Sequence, residues 1–259
     1  MSLLKRYRMA KFWNAAEEFL HHLLVVKQPT ASSSSSSSES ASSNKVDMSS
    51  TSSSSSQNHH LKSGTASDHL TSAISKFREA YNQQLTRVMY MAGTAMAPAL
   101  NKAGLEDRDA LEKLVVRTIP RPSPRTVLVG DVVAFNSPLT LGTSSDTNEF
   151  IMVRRVAAME GDDMVAASSS DSGEQQAEED LGEVPKGHCW VLADNENLKP
   201  PQVNECRTFG YIPLTNIVGR VIYAASTRKD HGPVINNPAS VEADQAIIEG
   251  EVDVDRLCT

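Results

Sequence analysis

The sequence of 259 residues has no hydrophobic run long enough to cross a bilayer, which takes about 18 or more apolar residues. The longest apolar stretches are short: Phe19–Val26 is broken by two histidines, and Val88–Leu100 is rich in Ala and Met. Charged side chains at Lys76, Arg78 and Arg87 also exclude a bilayer-buried helix between residues 70 and 91. We therefore expect no ordinary membrane span.

Cysteine is scarce, with only Cys189, Cys206 and Cys258. An odd number of cysteines without regular spacing excludes a disulfide framework. No CxxC pair occurs and the histidines are scattered, so no zinc site is expected, nor any other metal or cofactor. Unpaired thiols of a reducing compartment are the simplest interpretation.

The chain is also poor in aromatic residues (5%) and carries a net charge of −7, which excludes a general nucleic-acid binder. Apolar residues make up 39%, enough for one modest core. The charge is uneven. Residues 162–183 and 242–255 are acidic, whereas the first sixteen residues carry four basic side chains and no acid.

The first 69 residues divide into two segments. Residues 1–28 are predicted to form an amphipathic helix, either a mitochondrial targeting segment or a basic helix that docks on the domain or on a membrane face. Residues 29–69 are predicted to be a disordered linker. Seventeen of the twenty-five positions from 32 to 56 are serine, and such a segment buries too little apolar surface to offset its ordering entropy.

Residues 70–226 are predicted to form the globular domain. Apolar spacing favours one helix from Leu70 to Met91, followed mainly by strands from Val115 onward. The predicted strands are Val127–Val129, Val132–Phe135, Phe150–Ala157, Met164–Ala167, Cys189–Leu192 and Ile217–Ala224. Many short strands with tight turns indicate a mainly β fold, a barrel or a sandwich, with an acidic loop over 168–183.

Residues 227–259 are predicted to be an acidic C-terminal tail. Within it, residues 251–255 alternate valine with acid. This alternation is compatible with an edge strand or with a loose segment.

Four segments in a fixed order carry the functional information. They are Ala95–Pro98, Gly130–Phe135, Met152–Asp162, and the stretch that runs from Pro185–Asn195 to Arg207–Gly210 and Ile217–Arg220. Together these segments resemble the type I signal peptidases, including the mitochondrial inner membrane peptidase subunits. The resemblance covers roughly half of the chain and is strongest from Gly130 to Tyr223. The Arg154-Arg155 pair resembles a plant branch of that family.

The resemblance implies a signal-peptidase-like β-barrel domain and a serine–lysine dyad that cleaves leader peptides. In the family a serine hydroxyl attacks the scissile carbonyl, and a neutral lysine takes its proton. Here the serine position holds Ala95, which has no nucleophile, and the lysine position holds Arg154. Because a guanidinium stays protonated at any working pH, it cannot act as a general base. No catalytic dyad is intact.

Three other residues are candidates to replace the dyad, and none is expected to do so. Thr94 lies one position from Ala95, where its side chain is expected to point in a different direction. His188 begins a strand and His231 lies in a turn, and both are expected to be structural.

The scaffold around the former site is better kept than the dyad. Asp131 is expected to close a tight turn through hydrogen bonds from its side chain to the backbone. Arg155 and Arg207 are expected to lie near one another's carboxylate partners. Other site positions have drifted from the family pattern, at Glu160, Ala193, Val203, Glu205 and Cys206. The scaffold of the former site, which includes the changed Glu205, consists of Met96, Pro98, Gly130, Asp131, Arg155, Asp194, Asn195, Glu205, Arg207 and Gly219-Arg220.

The sequence thus predicts an inactive homologue that serves as a subunit or a peptide-binding module in signal peptide processing. The alternatives are an active endopeptidase with an altered dyad, or a plain interaction module on the wider barrel fold that self-cleaving repressors share. The resemblance implies an active peptidase subunit or a leader-like peptide as partner. It also implies peripheral contact with the mitochondrial inner membrane, and a plastid location is the alternative.

Overall fold

The computed structural model describes residues 2–25, 66–140, 150–165 and 180–258. The chain divides into two compact units, one of residues 1–10 and 84–259 and one of residues 11–83. Most of the predicted serine-rich linker and of the acidic loop over 168–183 lies outside the described residues.

The helices are α1 (Leu3–Val25), α2 (Ala66–Asn82), α3 (Cys206–Phe209), α4 (Pro238–Glu251) and α5 (Val254–Leu257). The strands are β1 (Thr86–Ala92), β2 (Leu111–Thr118), β3 (Val132–Asn136), β4 (Ile151–Met159), β5 (Asp163–Val165), β6 (Asp180–Glu183), β7 (His188–Leu192), β8 (Ile212–Pro213), β9 (Ile217–Ala225) and β10 (His231–Pro233).

The prediction of a mainly β, signal-peptidase-like fold is confirmed. Within the described residues, eight strands form an antiparallel sheet in the order β1-β2-β9-β3-β4-β7-β8, with β10 paired to β9. The sheet curls into a half-barrel. Strands β5 and β6 form a separate two-stranded ribbon.

The central strand β3 explains why the sequence of a strand can be apolar at every position. Val132 and Ala134 point into one buried cluster, with Leu114. Val133 and Phe135 point into another, on the opposite face of the sheet. Because successive side chains of a strand alternate between faces, a strand that is covered on both sides is apolar throughout.

The prediction of one helix from Leu70 to Met91 is wrong in its second half. Helix α2 ends at Asn82, and residues 86–92 form strand β1, which pairs with β2 over seven residues. Met89 and Met91 pack against the core while their neighbours are exposed, the period-two pattern of a strand. The predicted strand Val127–Val129 is also wrong, because these residues lie in a bend and a turn and do not pair as a strand.

The described residues 227–258 are not a loose tail: they form strand β10 and helices α4 and α5 within the first unit, and residues 251–255 do not form an edge strand. Helix α4 has Pro238 in its first turn and is capped by the side chain of Asn237, while Asp253 caps α5. Both helices bury apolar side chains against the sheet, including Ile247 and Leu257. The repeated valines and acids of this segment therefore belong to helix ends, and not to a strand.

Glu251, at the end of helix α4, joins that helix to the first strand. Its carboxylate accepts hydrogen bonds from the backbone N–H groups of Leu85 and Thr86, at 3.0 and 2.9 Å, and from the Tyr7 hydroxyl at 2.7 Å. Two backbone donors where β1 begins are thus satisfied by a side chain from α4.

The second unit contains residues 11–25 of α1 together with α2. Phe77 of α2 lies 5.8 Å from Phe12 and 6.4 Å from Phe19, measured between ring centroids, with both pairs edge to face. Among the described residues, no helix is both long and apolar enough to cross a membrane.

Candidate functional site

Ala95 and Arg154, the two positions that the sequence singled out, line the same groove in the structure. The groove has a volume of about 350 Å³ and is bordered by residues 89–93 at the end of β1, by Leu114 of β2 and by residues 150–154 of β4. Arg154 is the one charged residue among those that line it. The folding of the sheet therefore brings together two segments that lie 59 positions apart.

Two strand edges border this groove. Strand β1 pairs only with β2 among the described strands, so its other edge carries unpaired backbone groups. Strand β4 pairs with β7 only from Arg155 onward, so residues 151–154 have no described strand partner on the edge that β7 would occupy, and only the Val153 carbonyl oxygen there accepts from a side chain. Unpaired edges of this kind are templates for the addition of an extended chain.

The side chain of Arg154 is largely buried, with 8% of the residue exposed. Its Nε donates to the carbonyl oxygen of Asn204 at 2.9 Å, and its Nη1 donates to the carbonyl oxygen of Val153 at 2.6 Å. Burial lowers the pKa of Arg154, and the nearby carboxylate of Glu205 only partly offsets this shift. The guanidinium nevertheless remains the protonated form at neutral pH.

The loop that carries Ala95 is held by Asn195. The Asn195 side chain donates to the carbonyl oxygen of Thr94 at 2.8 Å, and its backbone N–H donates to that of Ala95 at 3.0 Å. Met96 is buried in the core beside this loop, and Pro98 follows it with an exposed ring. The backbone of residues 94–96 is therefore fixed with the Ala95 methyl group at the groove.

Thr94 does not line the groove. Its methyl group lies beside Gly104, since a Cβ placed on that glycine would be 3.4 Å from Thr94 Cγ2. The geometry agrees with the expectation that a shift of one residue points this side chain elsewhere.

Arg155, next to Arg154 in the sequence, points to the other face of β4 and has a structural set of partners. Its Nε and Nη2 bind the two carboxylate oxygens of Asp194 at 2.8 and 2.6 Å. Its Nη1 donates to the carbonyl oxygens of Gly130 and Ile235. This bidentate pair ties β4 to the turn that holds Asn195.

Glu205 and Arg207 form a second ion pair close to the first. Glu205 is fully buried, and its other carboxylate oxygen accepts the backbone N–H of Ala193 at 2.8 Å. The two ion pairs are thus linked through the Ala193–Asp194 backbone. Val203, in the same segment, is buried and apolar.

Asp131 closes its turn as predicted, with Oδ2 accepting the N–H of Leu128 at 2.9 Å. The same oxygen accepts from Arg220 Nη1 at 2.9 Å, and Arg220 Nε in turn binds Asp244 at 2.7 Å. Burial acts to lower the pKa of Arg220, but the hydrogen bond to Asp244 and the two carboxylate charges raise it overall. Gly130, before Asp131, has a φ of 94°, which a glycine tolerates without strain.

Two histidines and two cysteines of the described residues have local partners or are buried. His188 Nδ1 lies 3.0 Å from the Lys186 carbonyl oxygen, and His231 Nδ1 lies 2.7 Å from the Tyr223 hydroxyl. Burial raises the thiol pKa of both Cys189 and Cys206 to about 12. In the described part of the chain, no group of three or more His, Cys, Asp or Glu side chains could hold a metal ion.

Sequence reasoning missed the β1 wall of the groove and the carbonyl of Asn204 that holds Arg154. The period-two pattern of Met89 and Met91 was the signal that could have identified the wall. Nothing in the sequence points to the carbonyl of Asn204.

Two relatives from Arabidopsis thaliana match the chain, while no family model does. Mitochondrial ATP-independent inner membrane protease subunit 2 is 38% identical over 144 residues, which cover 56% of this chain and 63% of that protein. Thylakoidal processing peptidase 1, chloroplastic, is 28% identical over 192 residues, which cover 67% of this chain and 50% of that protein. The chain therefore spans less than two thirds of the length of either relative.

Proposed function

We propose that this chain, a homologue of the signal peptidase I family, is a peptide-binding subunit of signal peptide processing that does not itself cleave. The observation that carries this proposal is the groove between two open strand edges, in which the methyl group of Ala95 and the guanidinium of Arg154 stand at the dyad positions. In this proposal the chain has the strand edges that bind an extended peptide and lacks the serine and lysine that would cleave it.

Peptide binding is supported by the backbone geometry of the groove. The outer edge of β1 and the edge of residues 151–154 have no strand partner among the described residues, and both present backbone groups to an added strand, except the Val153 carbonyl oxygen, which already accepts from Arg154. Main-chain hydrogen bonds of this kind give affinity without requiring a particular sequence, and alternate side chains enter pockets. The wall contributed by Met89, Met91 and Met152 is suited to apolar side chains of varied shape.

The lack of cleavage is supported by the chemistry of the two positions. Acyl transfer by a dyad requires a hydroxyl nucleophile and a base that is neutral at working pH. Ala95 supplies no hydroxyl, and the lowered pKa of Arg154 is still that of a guanidinium, which stays protonated. Thr94, the nearest hydroxyl in the sequence, does not line the groove.

The test is a titration of the full chain with a fluorescein-labelled leader peptide, followed by fluorescence anisotropy. Saturable binding is expected, and its absence would refute the peptide-binding part of the proposal.

An active enzyme with an altered dyad is tested separately with a serine-directed acylating probe. We expect no labelling. Labelling that is lost in Thr94→Ala but kept in the exposed control Thr215→Ala would show that the chain is an enzyme.

We further propose that the chain associates with an active peptidase subunit at the mitochondrial inner membrane. One relative is named as a subunit of a mitochondrial inner membrane protease. Residues 1–28 are the candidate for peripheral attachment, since α1 exposes Phe12, Trp13 and Leu20 and begins with basic residues. The second relative is chloroplastic, so plastids are the competing location.

Affinity capture from separated mitochondria and plastids tests compartment and partner together. Recovery of a peptidase from the mitochondrial fraction is expected. Recovery from the plastid fraction alone would overturn the location, and recovery of no peptidase from either would count against a subunit role.

A further inference from the structure

We propose that the groove recognises the free C-terminal carboxylate of a bound peptide, so that its ligand is a leader peptide after cleavage and not the uncleaved precursor. This inference rests on the proposed function and names the ligand of the same site. It is argued from the unused donors of Arg154, from the charge around it and from the point at which the free edge of β4 ends.

Arg154 has donors that the protein does not use. Acceptors are supplied for Nε by Asn204 and for Nη1 by Val153. No atom of the described residues accepts from Nη2, and Nη2 is not among the fully buried atoms that lack a partner. Nη2 is therefore not fully buried, and the residue that carries it lines the groove.

The charge of Arg154 is also not neutralised by a partner. The carboxylate that influences it, Glu205, is already bound to Arg207 and to the Ala193 N–H. Across the described ranges, no acidic side chain forms an ion pair with Arg154, and the other groove residues are uncharged. A cation that is largely buried and unpaired is stabilised most by an anion that fits its planar donors, and a carboxylate fits them in pairs.

The sheet places this cation where an added strand must end or turn away. Along β4, the edge that faces the groove has no described strand partner from Ile151 to Arg154, but its Val153 carbonyl oxygen already accepts from Arg154, and Arg155 pairs with Leu192 of β7. A peptide strand that pairs along this edge thus reaches the end of the free backbone beside the guanidinium. A bound peptide whose C-terminus lies at this point can stay paired with β4 along its whole length and does not have to turn away from the sheet.

The other sequence-predicted position, Ala95, also lines the groove, and its methyl side chain has no donor or acceptor. Arg154 is therefore the side chain that provides charge for the two oxygens of a carboxylate, and the surrounding surface suits an apolar terminal residue.

The experiment compares three forms of one fluorescein-labelled leader peptide by anisotropy on the full chain: the free C-terminal acid, the C-terminal amide, and a form extended beyond the cleavage position. We expect the acid to bind about tenfold more tightly than the amide, a difference of about 1.4 kcal/mol. The extended form is expected to bind no better than the amide.

Variants assign the preference to one residue. Arg154→Gln is expected to bring the ratio of acid to amide affinity to about one while binding of the amide persists. Arg87→Gln is the matched control, because Arg87 is an exposed arginine of β1 that does not line the groove, and it should keep the tenfold ratio. Arg154→Lys, which retains the charge, serves if the glutamine variant does not fold, and it should reduce the ratio without abolishing it.

The outcomes separate the two levels of the argument. Equal binding of all three peptides overturns the carboxylate inference and leaves the proposed function standing. Tighter binding of the extended form overturns it in favour of an uncleaved ligand. Binding of none overturns both.

Discussion

Replacement of Asp244 by asparagine is expected to lower the free energy of unfolding by about 3 kcal/mol, because this residue anchors helix α4 to the sheet. Asp244 is 1% exposed, and its two carboxylate oxygens bind Arg117 and Arg220 separately. A hydrogen bond between charged groups is worth about 1.5–3 kcal/mol.

The magnitude follows from what an asparagine can keep. Its carbonyl oxygen can still accept from one guanidinium, but its amide directs a donor at the other. The Arg117 side chain is 28% exposed and can turn to water, whereas that of Arg220 is 3% exposed and keeps Asp131. The loss is therefore about one charged hydrogen bond together with the attraction of a buried negative charge.

Urea unfolding followed by far-ultraviolet circular dichroism measures this loss. Glu242→Gln is the matched control, because it removes the same charge from an exposed position of the same helix, and it should change stability by less than about 0.5 kcal/mol. If Asp244→Asn were as stable as Glu242→Gln, the buried network would not anchor the helix.

Two further predictions test packing and burial. Gly219→Ala should destabilise the protein by about 2 kcal/mol or more, because a Cβ there would lie 2.1 Å from the carbonyl oxygen of Arg117, whereas Gly232→Ala, with open space around it, should be nearly neutral in thermal unfolding. At about pH 8, the thiols of Cys189 and Cys206, with a pKa of about 12, are thiolate only to about one part in 10⁴, so iodoacetamide should label Cys258 well before them. Equal labelling of the three in the folded protein would contradict their burial.

The sequence was sufficient for the fold class and for the family resemblance, which the two relatives confirm. Turn residues such as Gly130-Asp131 and short β-branched runs act locally, so their signal survives in one sequence. Strands β3, β4, β7 and β9 lie within a few residues of the predicted positions for this reason.

The errors arose where long-range pairing or packing decides the structure. Strand β1 has helical spacing, but pairing with β2 fixes it as a strand. The acidic residues 242–255 look solvated, yet Asp244 and Glu251 satisfy an arginine pair and the start of β1. No local pattern shows which acids face a buried partner.

For the candidate site, the sequence identified Ala95 and Arg154, and the structure places both at one groove. The sequence could not show which nitrogens of the Arg154 guanidinium are hydrogen-bonded within the protein. The bond of Arg154 to the Asn204 carbonyl and its open Nη2 depend on a segment fifty residues away. Because of these two details, Arg154, which cannot act as the base, is a candidate binding residue for an anion.

The central claim is that the groove binds a peptide and leaves it intact, and mass spectrometry of a leader peptide incubated with the wild-type chain tests it most directly. At protein concentrations that saturate binding, the account predicts that only the intact peptide is recovered. Two fragments that together make up the peptide, formed by the wild type and no longer formed by Thr94→Ala, would contradict it.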